Sequence, residues 1–303
     1  MNFQDQSQVF LTNCTTRNRS PIKPSTLLTY RGRLEKHVLP TIGTRDIETF
    51  GNGALKEFAQ GLSAKTLSPK TVLEIVALVQ SVVASAVTPD GDRMFPRSWN
   101  YDFLDLPPVV SQKQPTVTPE QLNRALKDER YSLFYAFLAG TGMRVGEALA
   151  CKCGQDGVST GWNPDRALVD VKTRLYRGQE GPPKTRAGIR EIDLDPQLNT
   201  RLRTYASLKG VKMGAPLFQS AAGTPLQETT VRERSLSPLC IEGFHAFRRF
   251  RVSRLREQAA PEDLIRYWIG HENGNMTDRY SKLSQNEELR RTWASKVGLG
   301  FKL

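Results

Sequence analysis

Side chains able to handle a phosphate cluster near the C-terminus, in the stretches FHAFRRF and WIGHENGNMTDRY. His245 and Arg248 stand three residues apart, so on a helix they share a face and can address one small anion. Arginine brings a planar fork of donors that matches phosphate oxygens and stays charged at any working pH. His271 follows Gly270 and opens a loop rich in Gly and Asn, which Tyr280 closes nine residues later. A tyrosine hydroxyl has a pKa of about 10, so only about one in a thousand is ionised at neutral pH. To act as a nucleophile it needs cations or a base beside it. The arginine and the histidines, two of the three in the chain, offer both. The set reads as machinery for holding a phosphate and attacking it.

A second candidate lies upstream. YSLFYAFLAG is an apolar helical stretch followed by TGMRVGEALA. Its glycines do not make a dinucleotide loop, because G-x-G-x-x-G would need glycine at Val145 and a strand, not a helix, before it. What remains is a tight turn that places Arg144 in the first turn of a new helix, where backbone N–H groups also favour anions. Glu147, three residues on, can brace the guanidinium.

These boxes, T-G-x-R-x-x-E at 141–147, H-x-x-R at 245–248, Gly270-His271 and Tyr280, resemble the signature of the tyrosine recombinase (phage integrase) family. The match departs from the commoner H-D-L-R-H form at Ala246 and Arg249, which touches the supporting shell but not His245 or Arg248. The resemblance implies that Tyr280 attacks a DNA phosphodiester to give a 3′-phosphotyrosyl link. It implies that Arg144 and Arg248 hold the phosphate oxygens, that His245 helps move the tyrosine proton, and that His271 hydrogen-bonds the phosphate. In the family a lysine on a β-hairpin protonates the leaving oxygen. PKTRAGIREIDL resembles the K-T-x-x-x-x-R-x-I-x-L pattern and makes that residue Lys184, with Lys172 the competitor. The expected reaction needs no cofactor, neither metal nor ATP. The expected partners are double-stranded DNA with a specific recombination site and a homotetramer on synapsed DNA. A type IB topoisomerase and a non-catalytic DNA-binding protein are the alternative readings.

Charge agrees with a polyanion as partner: 43 Lys and Arg against 31 Asp and Glu give +12. No apolar run is long enough for a membrane span and MNFQDQSQVF lacks the pattern of a signal peptide, so a cytoplasmic protein is expected. Four irregularly spaced cysteines make no disulfide framework, and Cys151-x-Cys153 lacks a second ligand pair for zinc. His271-Glu272 begins like H-E-x-x-H, but Asn275 ends that motif.

To position these residues, the sequence suggests a mainly α fold with a small antiparallel β-sheet, in two domains. Residues 1–20 are read as a flexible lead. Residues 21–106 make a helical domain: a helix from Pro24 that Pro40 stops, a short one near Leu55–Leu62, and a long one from Ser68-Pro69 with Val72, Ile75, Val79 and Val82 at helical spacing. The resemblance makes it a core-binding DNA domain, with Arg31, Arg33, Lys36, Lys65 and Lys70 on the DNA. The stretch 107–117 is proline-rich and reads as a linker. Residues 118–303 form the catalytic domain, with two alternating strands joined by a turn-rich hairpin carrying Lys184. Arg249 and Arg251 are further expected DNA contacts. The tail after Tyr280 holds an amphipathic helix with Leu289, Trp293 and Val297. It is expected to pack on its own domain or, as in the family, on a neighbouring protomer.

Overall fold

The structure is a computed structural model that describes residues 1–19, 21–110, 114–271 and 283–303. The chain divides into two compact units, 1–112 and 113–303.

The first unit is helical. Its opening helix α1 (Phe3–Thr16) overturns the flexible lead for these residues. Asn2 caps it, its side chain accepting the Asp5 amide at 2.8 Å. The buried face holds Phe3, Gln6, Ser7, Leu11 and Cys14, and Phe3 packs edge-on against Phe50 with ring centroids 4.7 Å apart. Two of these five, Gln6 and Ser7, are polar, which blurs the hydropathy pattern of the helix. Helix α2 (Pro24–Arg33) runs on through a wide π turn over Leu34–Val38 into α3 (Leu39–Ile42), with the Leu39 amide donating to the Leu34 carbonyl. Pro40 therefore does not stop the helix. It sits in the first turn of α3, where its missing N–H needs no acceptor. Helices α4 (Asn52–Ser63), α5 (Pro69–Ala84) and α6 (Tyr101–Leu104) complete the unit. Ser68 caps α5, and Val72, Ile75, Val79 and Val82 lie buried along it.

The second unit begins with α7 (Pro119–Ala125), closed by a capping box of Thr118 and Gln121. Helix α8 (Ser132–Thr141) is buried from Phe134 onward, as a helix apolar on all sides should be. Gly142 ends it in the left-handed region at φ 67°, its amide donating to the Leu138 carbonyl. The short α9 (Val145–Leu149) starts at once, with Arg144 at its N-cap. Strands β1 (Lys152–Cys153), β2 (Gly161–Asn163), β3 (Leu168–Val171), β4 (Arg174–Tyr176), β5 (Gln179–Gly181) and β6 (Arg190–Asp193) follow. They form a four-stranded sheet in the order β1-β2-β3-β6 and a separate β4-β5 hairpin. The sheet is mixed, not purely antiparallel, because β1 runs parallel to β2. In the register of β3 with β6, Val171 lies opposite Arg190 and Leu168 opposite Asp193.

Helices α10 (Pro196–Leu208), α11 (Glu228–Val231), α12 (His245–Glu257), α13 (Glu262–Ile269) and α14 (Glu287–Val297) complete the second unit. The Phe247 ring stacks on Tyr135 at 5.3 Å and 5°, which fixes α12 against α8. Helix α14 packs on its own unit, but with a rotated face: Arg290, Ala294 and Val297 are buried, whereas Leu289 is exposed. No described helix is long and apolar enough to cross a membrane.

Candidate active site

The turn between α8 and α9 delivers Arg144. Its backbone amide donates to Glu147 Oε2 at 3.1 Å and its Nη1 to Oε1 at 2.9 Å. Glu147 is wholly buried and shared, because Arg190 Nη2 also donates to its Oε2 at 3.0 Å. Burial alone would raise the Glu147 carboxyl pKa, but the charges of Arg190 and Arg144 outweigh it and hold the pKa below the usual range. Gly146 lets the hairpin approach: a Cβ there would come 2.5 Å from the Leu175 carbonyl oxygen on β4.

Helix α12 delivers Arg248. With Phe247 stacked on Tyr135, the next side chain reaches across, donating from Nη1 to the Gly142 carbonyl at 2.9 Å and from Nη2 to the Ile269 carbonyl at 2.5 Å. Burial, reinforced by Arg144 and Arg190, pulls its pKa down to about 9, which still leaves it charged at neutral pH.

The arginines meet at the end of α13. Trp268, Ile269 and Gly270 offer three consecutive carbonyls, which accept from Arg190 Nε at 2.6 Å, Arg248 Nη2 at 2.5 Å and Arg144 Nη2 at 3.3 Å. The last carbonyls of a helix have no intrahelical donor and carry the negative end of its dipole. Three guanidiniums satisfy them, and His271 is the next residue. Gly270 makes this possible at φ +66°; a Cβ on it would come 2.8 Å from the Ala187 carbonyl oxygen and 3.0 Å from Arg190.

His245, the first residue of α12, is reachable from solvent, as is His271. Partial desolvation of the His245 ring, then Arg248, Arg249 and Arg144, lower its pKa to about 4. The His271 pKa is lowered too, by desolvation first and then by Arg248, Arg144, Arg190 and Arg256. Both rings are therefore neutral at neutral pH, able to accept or share a proton. Arg144 and Arg248 each donate from both Nη atoms to protein acceptors, and a guanidinium with five N–H groups keeps others for a phosphate.

Lys184 is exposed on the connection between β5 and β6, within the turn-rich stretch that joins the paired strands β3 and β6. Three and four residues on, Ala187 lies against Gly270 and the Gly188 carbonyl accepts from Arg190 Nη1 at 2.7 Å, so this connection is pinned to the site. The competitor Lys172 is engaged elsewhere, its Nζ 2.8 Å from both Asp170 and the Gly157 carbonyl. Tyr280 lies outside the described residues.

Among the expected DNA contacts, Arg31, Lys36, Lys65 and Lys70 are exposed, while Arg33 is half-buried and paired with Glu74. Arg251 departs from the expectation of a surface contact: it is 3% exposed, and its Nη1 donates to the Gly298 carbonyl at 2.6 Å, which ties α12 to the C-terminal tail. Arg249 is half-buried, donating to the Pro115 carbonyl at 2.7 Å and to Gln114. Arg190 is the R of the K-T-x-x-x-x-R-x-I-x-L pattern, but motif reading gave it no role. The alternation of IREIDL put it on a strand, and only its inward direction and burial reveal it.

A model of the phage integrase family matches residues 118–287, and the chain belongs to that family. Among solved structures, the Tn1549 transposon integrase in complex with a circular intermediate DNA is similar over 96% of this chain and 99% of that one, with TM-score 0.71 and 18% identity. A lambda integrase dimer bound to a COC′ core site is similar over 92% and 95%, with TM-score 0.60 and 15% identity. A lambda integrase tetramer bound to a Holliday junction aligns over 93% of this chain and 78% of that one, with TM-score 0.58 and 15% identity. At these identities the likeness speaks for the fold. Among curated proteins, none matches this chain in sequence.

Proposed function

We propose that this chain cuts and rejoins duplex DNA at a specific recombination site through Tyr280. The observation that carries the reading is the gathering of Arg144, Arg190 and Arg248 around Glu147 and the end of α13, with neutral histidines beside them. Three guanidiniums against that carboxylate leave a surplus of buried positive charge, which a phosphate would neutralise.

In the proposed step the Tyr280 oxygen bonds to phosphorus as the bond from phosphorus to the 5′-oxygen breaks. His245, neutral at working pH, takes the tyrosine proton. Lys184 gives a proton to the departing 5′-oxygen. Arg144 and Arg248 bind the non-bridging oxygens, His271 adds a hydrogen bond, and Glu147 holds Arg144 in place. Attack by a 5′-hydroxyl from a second duplex reverses the step and exchanges strands. The free energy of the broken bond stays in the phosphotyrosyl link, so ATP is not consumed. The helical unit, with exposed Arg31, Lys36, Lys65 and Lys70, serves as the core-binding domain. The working assembly is a homotetramer on synapsed DNA in the cytoplasm.

The test is covalent capture. Wild type and Tyr280→Phe are incubated with a nicked randomised duplex library in excess EDTA, denatured, and the attached DNA is sequenced. Wild type alone should form an adduct through a 3′-phosphate, and the recovered sequences give the site. Adducts equal in both proteins, or none in wild type despite retained DNA, would refute the assignment.

A further inference from the structure

The proposed step gives Arg190 no part, yet it is the most heavily engaged guanidinium at the site. It is 4% exposed, and its three nitrogens serve three separate segments. Nε donates to the Trp268 carbonyl at 2.6 Å, Nη1 to the Gly188 carbonyl at 2.7 Å, and Nη2 to Glu147 Oε2 at 3.0 Å. Glu147 passes the last contact on, because its other oxygen holds Arg144 Nη1 at 2.9 Å. The Trp268 contact bears on the stretch that leads through Gly270 to His271, and Arg190 fills the space beneath Gly270. The Gly188 contact bears on the connection that carries Lys184.

We propose that Arg190 is a positioning residue for strand cleavage: through Glu147 it aims Arg144 at the scissile phosphate, and through the Trp268 and Gly188 carbonyls it holds the His271 and Lys184 segments in register with it. This rests on the recombinase reading. The role needs a guanidinium, since its planar fork can serve three acceptors in fixed directions, whereas a lysine ammonium is a point charge on a flexible stem. With Nε, Nη1 and Nη2 all donating to protein acceptors, Arg190 is assigned no DNA contact, so its loss should alter the chemical step and leave binding alone.

The experiment compares wild type, Arg144→Ala, Arg190→Lys, Arg190→Met and the double variant Arg190→Met/Glu147→Gln. The double variant removes the carboxylate that Arg190→Met would strand. The substrate is a nicked duplex bearing the captured site, with either a phosphate or a neutral methylphosphonate at the scissile position. Melting temperature, DNA affinity and single-turnover adduct formation are measured. Arg190→Lys and the folded Met variants should bind DNA as wild type does and form adduct about a hundredfold more slowly on phosphate, the scale of one misplaced charge-stabilising donor. On methylphosphonate, where less charge needs neutralising, their deficit should shrink together with that of Arg144→Ala.

A wild-type rate in Arg190→Lys, or a deficit equal on both substrates, would overturn the inference and leave Arg190 a structural ion pair. Absence of adduct from wild type itself would overturn the recombinase reading, and this inference with it.

Discussion

Arg290 on α14 and Asp193 on β6 form a fully buried ion pair with Nε 2.8 Å from Oδ2. The same carboxylate oxygen accepts from Trp268 Nε1 at 2.9 Å, while Arg290 Nη1 donates to the Leu283 and Ser284 carbonyls at 2.7 and 2.9 Å. Strand β6 thus fastens both the end of α13, just before His271, and the first described residues after Tyr280. Removing one partner of a buried pair strands the other charge at a cost of about 3–5 kcal/mol. Arg290→Met should lower unfolding free energy on that scale, and adding Asp193→Asn should recover part of it. Urea denaturation of the two variants decides; equal stability of wild type and Arg290→Met would show the tail to be merely apposed.

Gly270 and Gly178 separate backbone strain from crowding. Both have positive φ, +66° and +79°, but only Gly270 has neighbours that a Cβ would strike, whereas nothing lies within 4 Å of Gly178. Gly178→Ala should cost about 1 kcal/mol of left-handed strain. Gly270→Ala should cost about 1–3 kcal/mol and also slow adduct formation, because the Ala187 backbone and Arg190 must yield. Denaturation and single-turnover cleavage on the same preparations check both halves.

Arg251 and the exposed lysines should fail in different ways. Arg251→Met leaves the Gly298 carbonyl without its donor and should cost about 1–3 kcal/mol of stability, with an unchanged salt dependence of DNA binding. Lys65→Ala and Lys70→Ala should leave stability within about 0.5 kcal/mol. For every phosphate that a variant no longer neutralises, the slope of log affinity against log salt should become shallower by about 0.9. A flat response in both lysine variants would remove them from the DNA interface.

His245 should titrate near 4 in the free protein instead of at its ordinary 6.5, followed by its ring proton resonances in NMR. The folded pKa is the lower one, so its contribution to stability is fully present above about pH 6.5. It is lost progressively as pH falls toward 4. Glu147 has the same sign, with its folded pKa below 4.5, so its contribution is lost only in more acidic solution. A midpoint near 6.5 for His245 would mean that its ring senses neither the desolvation nor the arginines.

Much of the site was legible because its pieces are local. Arg144 with Glu147, and His245 with Arg248, are pairs three residues apart on helices, and Gly142 and Gly270 mark turns that a positive φ requires. Caps at Ser68 and Thr118 likewise announce their helices within four residues. Local geometry follows from local sequence, because helical period and turn chemistry act over one or two turns.

What the sequence by itself determined, then, was the order of the candidate boxes and the mainly helical class. Tertiary structure alone decided which charges turn inward. Arg190 meets Glu147 43 residues away, Arg290 meets Asp193 97 away, and Arg251 reaches the Gly298 carbonyl 47 away. An arginine on a strand or helix is ordinarily solvated, so nothing in its own neighbourhood distinguishes one that is buried. The partly polar buried face of α1 and the rotated face of α14 escaped for the same reason. Burying a charge is costly unless a partner from another element meets it, and that meeting exists only once the chain has folded.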